Sequence, residues 1–171
     1  GVNYWDWKDG DLYLKGALML HTLRNAINQD TLFFDILKTF YNENKYSVIT
    51  SEKFSEVVNS KTGADYNWFF EHYLYKREVP VLEYYSSKNK QNRYDKLYFK
   101  WTNVNSDFVL PIEIITNEEL KIIYPTSEFS SIKLKDGFKP FIHTYLQGSY
   151  FAVKELKRIN KEFIDDDVKD W

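Results

Sequence analysis

Residues 11–24, DLYLKGALMLHTLR, are the most informative stretch of the chain. The spacing predicts a helix with apolar residues on nearly every side, and such a helix is normally buried among other elements. Gly16 in its middle costs about 1 kcal/mol relative to alanine, so we expect another main chain to pack closely against Gly16 and Ala17. Asp11 is placed to cap the start of this helix. The stretch therefore predicts a buried central helix with the phenol of Tyr13 in its first turn.

Three further helices are predicted after this one. Asp30 is placed to cap the second, Thr50 or Ser51 the third, and Asp65 the fourth. Gly63 is expected to end the third helix in a left-handed conformation. Because the connections are short, the four helices favour a compact bundle.

The hydrophobic pattern changes from the helical period to alternation after residue 78. Leu97, Phe99 and Trp101 alternate with polar residues, and similar runs follow at 108–115, 120–122 and 132–135. Alternating runs separated by turn residues predict five to seven short antiparallel strands, which favour a small β-sandwich.

Residues 149–171 return to a helical spacing. One face of the expected amphipathic helix carries Ala152, Leu156, Ile159 and Phe163, and an acidic tail follows it. The fold class predicted from the whole sequence is α+β. The predicted domains are a helical part over residues 1–78, a β-sandwich over 79–148, and a C-terminal amphipathic helix with its tail over 149–171.

The motif Tyr13-x-Lys15-Gly16-Ala17, followed by Leu20-x-x-Leu23-Arg24, resembles the zinc aminopeptidases of the aminopeptidase N and leukotriene hydrolase kind, the gluzincin aminopeptidases. The resemblance extends over about residues 10–84. Later residues that keep the family's order are Asp30, Phe33, Phe34, Leu37, Thr50, Phe54, Gly63, Asp65, Trp68, Phe69, Phe70, Val79, Pro80, Val81 and Leu82.

The resemblance implies a fold, an activity and one catalytic residue. Residues 1–78 would be the C-terminal half of a thermolysin-like catalytic domain, and the full enzyme would hydrolyse the N-terminal peptide bond of peptides. Tyr13 would lie across the active site from the zinc and donate a hydrogen bond to the oxygen that becomes negative in the transition state. A phenol suits this role because, with a reference pKa near 10, it stays protonated at neutral pH.

One departure from the family concerns the metal. The family binds zinc through His-Glu-x-x-His and a later Glu, whereas this chain has only His21, His72 and His143, none with that spacing. We therefore expect no metal ligand and no cofactor-binding residue here, with zinc held elsewhere in a longer enzyme. The chain alone would be inactive, and it would pack against the upstream part of its own polypeptide or associate with itself.

Each of the other candidate residues has a simpler structural interpretation. The three histidines favour hydrogen-bonded core or interface positions over a metal site. Arg24 could pair with a substrate carboxylate, but an ion pair closing the end of its helix is the better interpretation. Aromatic residues of the strand region could form a sugar-binding platform, although the pattern places Trp101 on the inward side.

Composition excludes several classes of function. A net charge of -2 offers no basic surface for nucleic acid, and the lack of cysteine excludes disulfides and thiolate chemistry. No apolar run is long enough for a membrane span. The sequence does not indicate a compartment. The alternative to a peptidase fragment is a non-catalytic peptide- or glycan-binding or scaffold module, or a degenerate family member that has lost its metal.

Overall fold

The computed structural model describes residues 11–116, 119–135, 137, 139–142 and 149–157, of which Asp11 and Leu12 are described by their main chain. The helices are α1 (Asp11–Ile27), α2 (Asp30–Asn44), α3 (Ser51–Thr62) and α4 (Asn67–Tyr75). The strands are β1 (Val81–Lys88), β2 (Tyr94–Thr102), β3 (Ile112–Thr116), β4 (Glu119–Ile123), β5 (Ser130–Lys133), β6 (Phe141–Ile142) and β7 (Ala152–Glu155). The mixed α+β class predicted from the sequence is confirmed.

The chain divides into two compact units. The described residues of the first, which we call the helical unit, are 11–63 and 149–150. Those of the second, the sheet unit, are 64–116, 119–135, 137, 139–142 and 151–157. The expected four-helix bundle is therefore not one unit, because α4 belongs with the strands. The domain divisions predicted after residues 78 and 148 stay predictions.

In the helical unit, α2 and α3 bury apolar side chains against each other. Phe33 and Ile36 of α2 and Val57 and Val58 of α3 are buried, and removing such side chains from water supplies most of the stability of short helices. Gly63 ends α3 with a φ of 68°, and its N–H donates to the carbonyl of Asn59. The left-handed end predicted for this helix is confirmed.

The sheet unit contains a four-stranded sheet of order β5-β2-β1-β7 and a three-stranded sheet of order β4-β3-β6. In the first sheet β1 and β2 are antiparallel, with Leu82 opposite Trp101 and Ser86 opposite Leu97. Leu97, Phe99 and Trp101 of β2 are buried as predicted, but Tyr98 on the opposite face is buried as well.

Phe108 lies at the centre of an aromatic cluster in the sheet unit. Its ring centroid lies 5.1 Å from that of Trp68, 5.0 Å from His72 and 5.4 Å from Trp101. Trp68 and His72 belong to α4, which starts where the carboxylate of Asp65 accepts a hydrogen bond from the N–H of Asn67 at 2.8 Å. Asp65 was expected to cap α4, which is wrong: the N-cap is Tyr66, and no side chain caps the helix. The α4 helix packs on the β2 core through this cluster.

The prediction of a helix from residue 149 is wrong for the residues described. Residues Ala152–Glu155 form β7, which pairs with β1 in parallel, Val81 opposite Ala152 and Tyr84 opposite Glu155. The prediction of wholly antiparallel strands is therefore wrong for the four-stranded sheet. The four-residue spacing of Ala152 and Leu156 fits a helix, but main-chain pairing with β1 determines the conformation, a long-range contact that a local pattern does not contain. Residues 158–171, with the rest of the predicted helix and the acidic tail, lie outside the described residues.

Within the described residues, none of the helices combines the length and the apolar character that crossing a membrane requires.

Candidate functional site

Tyr13, the predicted catalytic residue, lies in the first turn of α1 with 67% of its surface exposed. Leu14 is 65% exposed, and Ala17 and Leu18 are exposed as well. The expectation that α1 is buried on every side is therefore wrong for the described chain. An apolar sequence predicts that a helix can be covered, but it does not say which polypeptide covers it.

These four residues form one continuous patch, which we call the Tyr13 surface: Tyr13, Leu14, Ala17 and Leu18. Residues four apart lie on the same side of a helix, so Ala17 follows Tyr13 and Leu18 follows Leu14 along adjacent rows. Gly16 lies beside them, and apart from the adjacent turns of α1 no described atom lies within 4 Å of the position that a Cβ would occupy there. The predicted close approach to Gly16 is therefore not made by any described residue.

Two residues in the C-terminal half of α1 are fully buried. Thr22 and Leu23 have no exposed surface. The hydroxyl of Thr22 donates to the carbonyl of Leu18 and accepts from the N–H of Tyr150, both at 2.7 Å. Asn25 Nδ2 also donates to Ser149 Oγ at 2.9 Å. Sequence reasoning missed Thr22 as a positioning residue, and the available signal was a hydroxyl in an otherwise apolar stretch.

Arg24 and Asp30 join the end of α1 to the start of α2. Arg24 Nε and Nη2 donate to the two carboxylate oxygens of Asp30 at 2.8 and 2.6 Å, a bidentate geometry that is among the strongest for this pair. The hydrogen bond from Arg24 is the main cause that holds the pKa of Asp30 below its usual value, and the same bond raises the pKa of Arg24.

This ion pair confirms one prediction and corrects another. The interpretation of Arg24 as closing the end of its helix is confirmed. Asp30 was expected to cap α2, which is wrong: α2 begins at Asp30, its N-cap is Gln29, and no side chain caps it. Arg24, six residues earlier, donates hydrogen bonds to both carboxylate oxygens of Asp30. These oxygens therefore point to Arg24 and do not accept hydrogen bonds from the first main-chain N–H groups of α2.

The two described histidines lie in different units of the chain. His72 is buried in α4, its ring 5.3 Å from that of Tyr73, while His21 lies half-buried on α1 in the other unit. His143 lies outside the described residues. In the described part of the chain, no three His, Cys, Asp or Glu residues lie close enough to hold a metal ion, so these residues do not fit a zinc site.

Most of the aromatic residues considered for a sugar-binding platform are covered, although Tyr124 is exposed. Trp101 is 1% exposed and its Nε1 donates to the carbonyl of Leu110 at 3.2 Å. Tyr98 is also buried, and Tyr84 and Tyr85 are half-buried. The inward position predicted for Trp101 is confirmed.

A known structure is similar to this chain over most of its length. Among 61 solved chains that match, the crystal structure of Legionella pneumophila aminopeptidase A in complex with aspartic acid gives a TM-score of 0.67 at 18% sequence identity, over 83% of this chain. This chain spans 17% of the length of that protein. No protein-family model matches the sequence, and no curated protein does. The chain therefore has an aminopeptidase-like fold.

Proposed function

We propose that this chain is part of a zinc-dependent aminopeptidase, which hydrolyses the N-terminal peptide bond of peptides, and that it contributes Tyr13 to the active site. The exposed position of Tyr13 on α1, beside the open space at Gly16, is the observation that carries the proposal. A catalytic phenol has to be accessible to a substrate, whereas a Tyr that only fills a core is covered by its neighbours. The aminopeptidase-like fold supports the proposal.

The chemistry of Tyr13 follows from its hydroxyl. When water adds to a peptide carbonyl, negative charge grows on the carbonyl oxygen, and a positioned donor binds that oxygen more strongly in the transition state than in the substrate. Tyr13 would donate this hydrogen bond. The buried end of α1, held by Thr22 and Asn25, would fix the helix axis on which the phenol stands.

The described residues supply no set of zinc ligands, so in this proposal the metal is bound by other residues of a longer polypeptide. Those residues would also cover the Tyr13 surface in part. Burial of Leu14 and Leu18 by that polypeptide would be favourable, since each buried leucine contributes about 1.5–3 kcal/mol. The peptide substrate would then approach between the metal and Tyr13.

The proposal is tested on the complete polypeptide in which this chain is encoded. The purified protein is expected to contain one zinc per chain and to release the N-terminal residue from unblocked peptides but not from N-acetylated ones. The peptide panel should include an N-terminal aspartate, because the structurally similar Legionella protein was solved with aspartic acid. A protein that binds no zinc and cleaves none of these peptides would contradict the proposal and favour a non-catalytic binding module.

A further inference from the structure

A cleft of about 510 Å³ lies in the sheet unit, where β7 leaves the edge of β1. The residue pairing between these strands ends at Tyr84 and Glu155, and the N–H of Leu156 makes a last hydrogen bond to the carbonyl of Tyr84 at 2.7 Å. Strand β1 continues for four residues beyond this point, to Lys88. The cleft is lined by Tyr85, Ser86, Lys88, Tyr94, Glu155 and Lys157, among others.

The edge of β1 along this cleft has main-chain groups that face away from β2. The carbonyls of Pro80 and Tyr84 both accept hydrogen bonds from the β7 side. Because main-chain groups alternate along a strand, the N–H and C=O of Ser86 point to that same side, past the last residue pair. Among the described residues, Ser86 Oγ is also inaccessible to solvent and without a hydrogen-bond partner. Since no described strand pairs with this side of β1 beyond Tyr84, the edge can accept the main chain of another extended segment.

The charges of the cleft are unbalanced. Glu155 is matched by Lys139, whose Nζ lies 2.6 Å from Glu155 Oε1; this hydrogen bond is the largest cause that lowers the pKa of Glu155. Lys88 and Lys157 form no ion pair with any described carboxylate. The ammonium of Lys88 lies 4.8 Å from the ring centroid of Tyr94, which orients it at the rim of the cleft. Two positive charges without a carboxylate partner among the described residues thus flank this strand edge.

The geometry points to a binding site for an extended acidic peptide, which would continue the line of β7 along β1. Its main chain would pair with Ser86, and its carboxylates would lie against Lys88 and Lys157. A strand added to a sheet edge takes its affinity from main-chain hydrogen bonds and its specificity from alternate side chains. At this site, acidic side chains on the added strand would provide that specificity, because they would pair with Lys88 and Lys157. The site belongs to the sheet unit and does not rest on the proposed peptidase function.

The test titrates the 15N-labelled chain with two blocked hexapeptides, one alternating Thr and Asp and the other Thr and Asn. The aspartate peptide is expected to bind about tenfold more tightly at low salt, because two exposed ion pairs each contribute modestly. It should shift the amide resonances of Ser86 and Lys88 most. Glucuronate and inorganic phosphate serve as probes for a carbohydrate or a simple anion.

Charge-removing variants give the matched control. The double variant Lys88→Gln with Lys157→Gln should lose about the same tenfold of affinity, while Lys38→Gln, on the exposed side of α2, should bind as the unaltered chain does. Equal binding of the two peptides, resonance shifts elsewhere, or equally tight binding of glucuronate or phosphate would overturn the proposal. If the double variant does not fold, the comparison of the two peptides on the unaltered chain decides the question.

Discussion

The main-chain N–H of Tyr150 donates a hydrogen bond to the hydroxyl of Thr22 at 2.7 Å, between residues 128 positions apart in the sequence. Thr22 has no exposed surface and donates in turn to the carbonyl of Leu18. One buried hydroxyl therefore joins the last described residues of the helical unit to α1, the helix that carries Tyr13.

Replacing this hydroxyl should destabilise the helical unit. Thr22→Val keeps the shape of the side chain but leaves the N–H of Tyr150 without its acceptor, which costs about 1–3 kcal/mol when the group stays buried. Urea unfolding followed by circular dichroism measures the change in the free energy of unfolding. Thr31→Val, an exposed position in the first turn of α2, is the control and should change it little. Equal stabilities for the two variants would show that the Thr22 hydrogen bond does not hold the segment.

The ion pair between Arg24 and Asp30 predicts a pH dependence. The pKa of Asp30 is lower in the folded chain than its usual value, chiefly because of the hydrogen bond from Arg24. A carboxyl with a lowered folded pKa stabilises the fold above its unfolded pKa, and this contribution is lost as the pH falls through the folded pKa. An NMR titration should therefore find a low pKa for Asp30.

The same titration of Arg24→Gln should return the pKa of Asp30 toward its usual value. The control Arg77→Gln removes an exposed guanidinium of the sheet unit and should leave the pKa of Asp30 where it was. A pKa of Asp30 that is unaffected by Arg24→Gln would contradict the assigned pair.

Two glycines of the helical unit should respond to alanine in opposite directions. At Gly16 an added Cβ meets no atom within 4 Å, so Gly16→Ala should stabilise the chain by up to about 1 kcal/mol through helix propensity. At Gly63 φ is 68°, and Gly63→Ala should destabilise it by about 1 kcal/mol because L-residues resist this conformation. Thermal unfolding measures both. A destabilising Gly16→Ala would show that something packs against this side of α1 in the chain itself.

Local patterns predicted the parts of the fold that local chemistry determines. Leu97, Phe99 and Trp101 alternate because a pleated strand turns every second side chain inward. Gly63 ends α3 because glycine adopts the left-handed main-chain conformation more readily than other residues do. In both cases the decisive information lies within a few residues, so the sequence alone contains it.

Long-range contacts determined the parts that the sequence did not predict. Residues Ala152–Glu155 form a strand because they pair with β1, about seventy positions earlier. Whether Leu14 is covered depends on what packs against α1, which its own apolar character does not identify. The carboxylate of Asp30 could either cap α2 or pair with Arg24, and in the structure it pairs with Arg24. For the candidate site, the motif identified Tyr13, but its exposure and the open space at Gly16 required the structure.

The role proposed for Tyr13 is tested most directly by kcat of the Tyr13→Phe variant of the complete polypeptide. Removing one donor to the developing oxyanion should lower kcat about 10²- to 10³-fold, with zinc content and folding unchanged. Tyr41→Phe, which removes an equally exposed phenol hydroxyl from α2, should leave kcat as it was. A Tyr13→Phe enzyme that keeps a normal kcat would contradict the assignment of Tyr13 to catalysis.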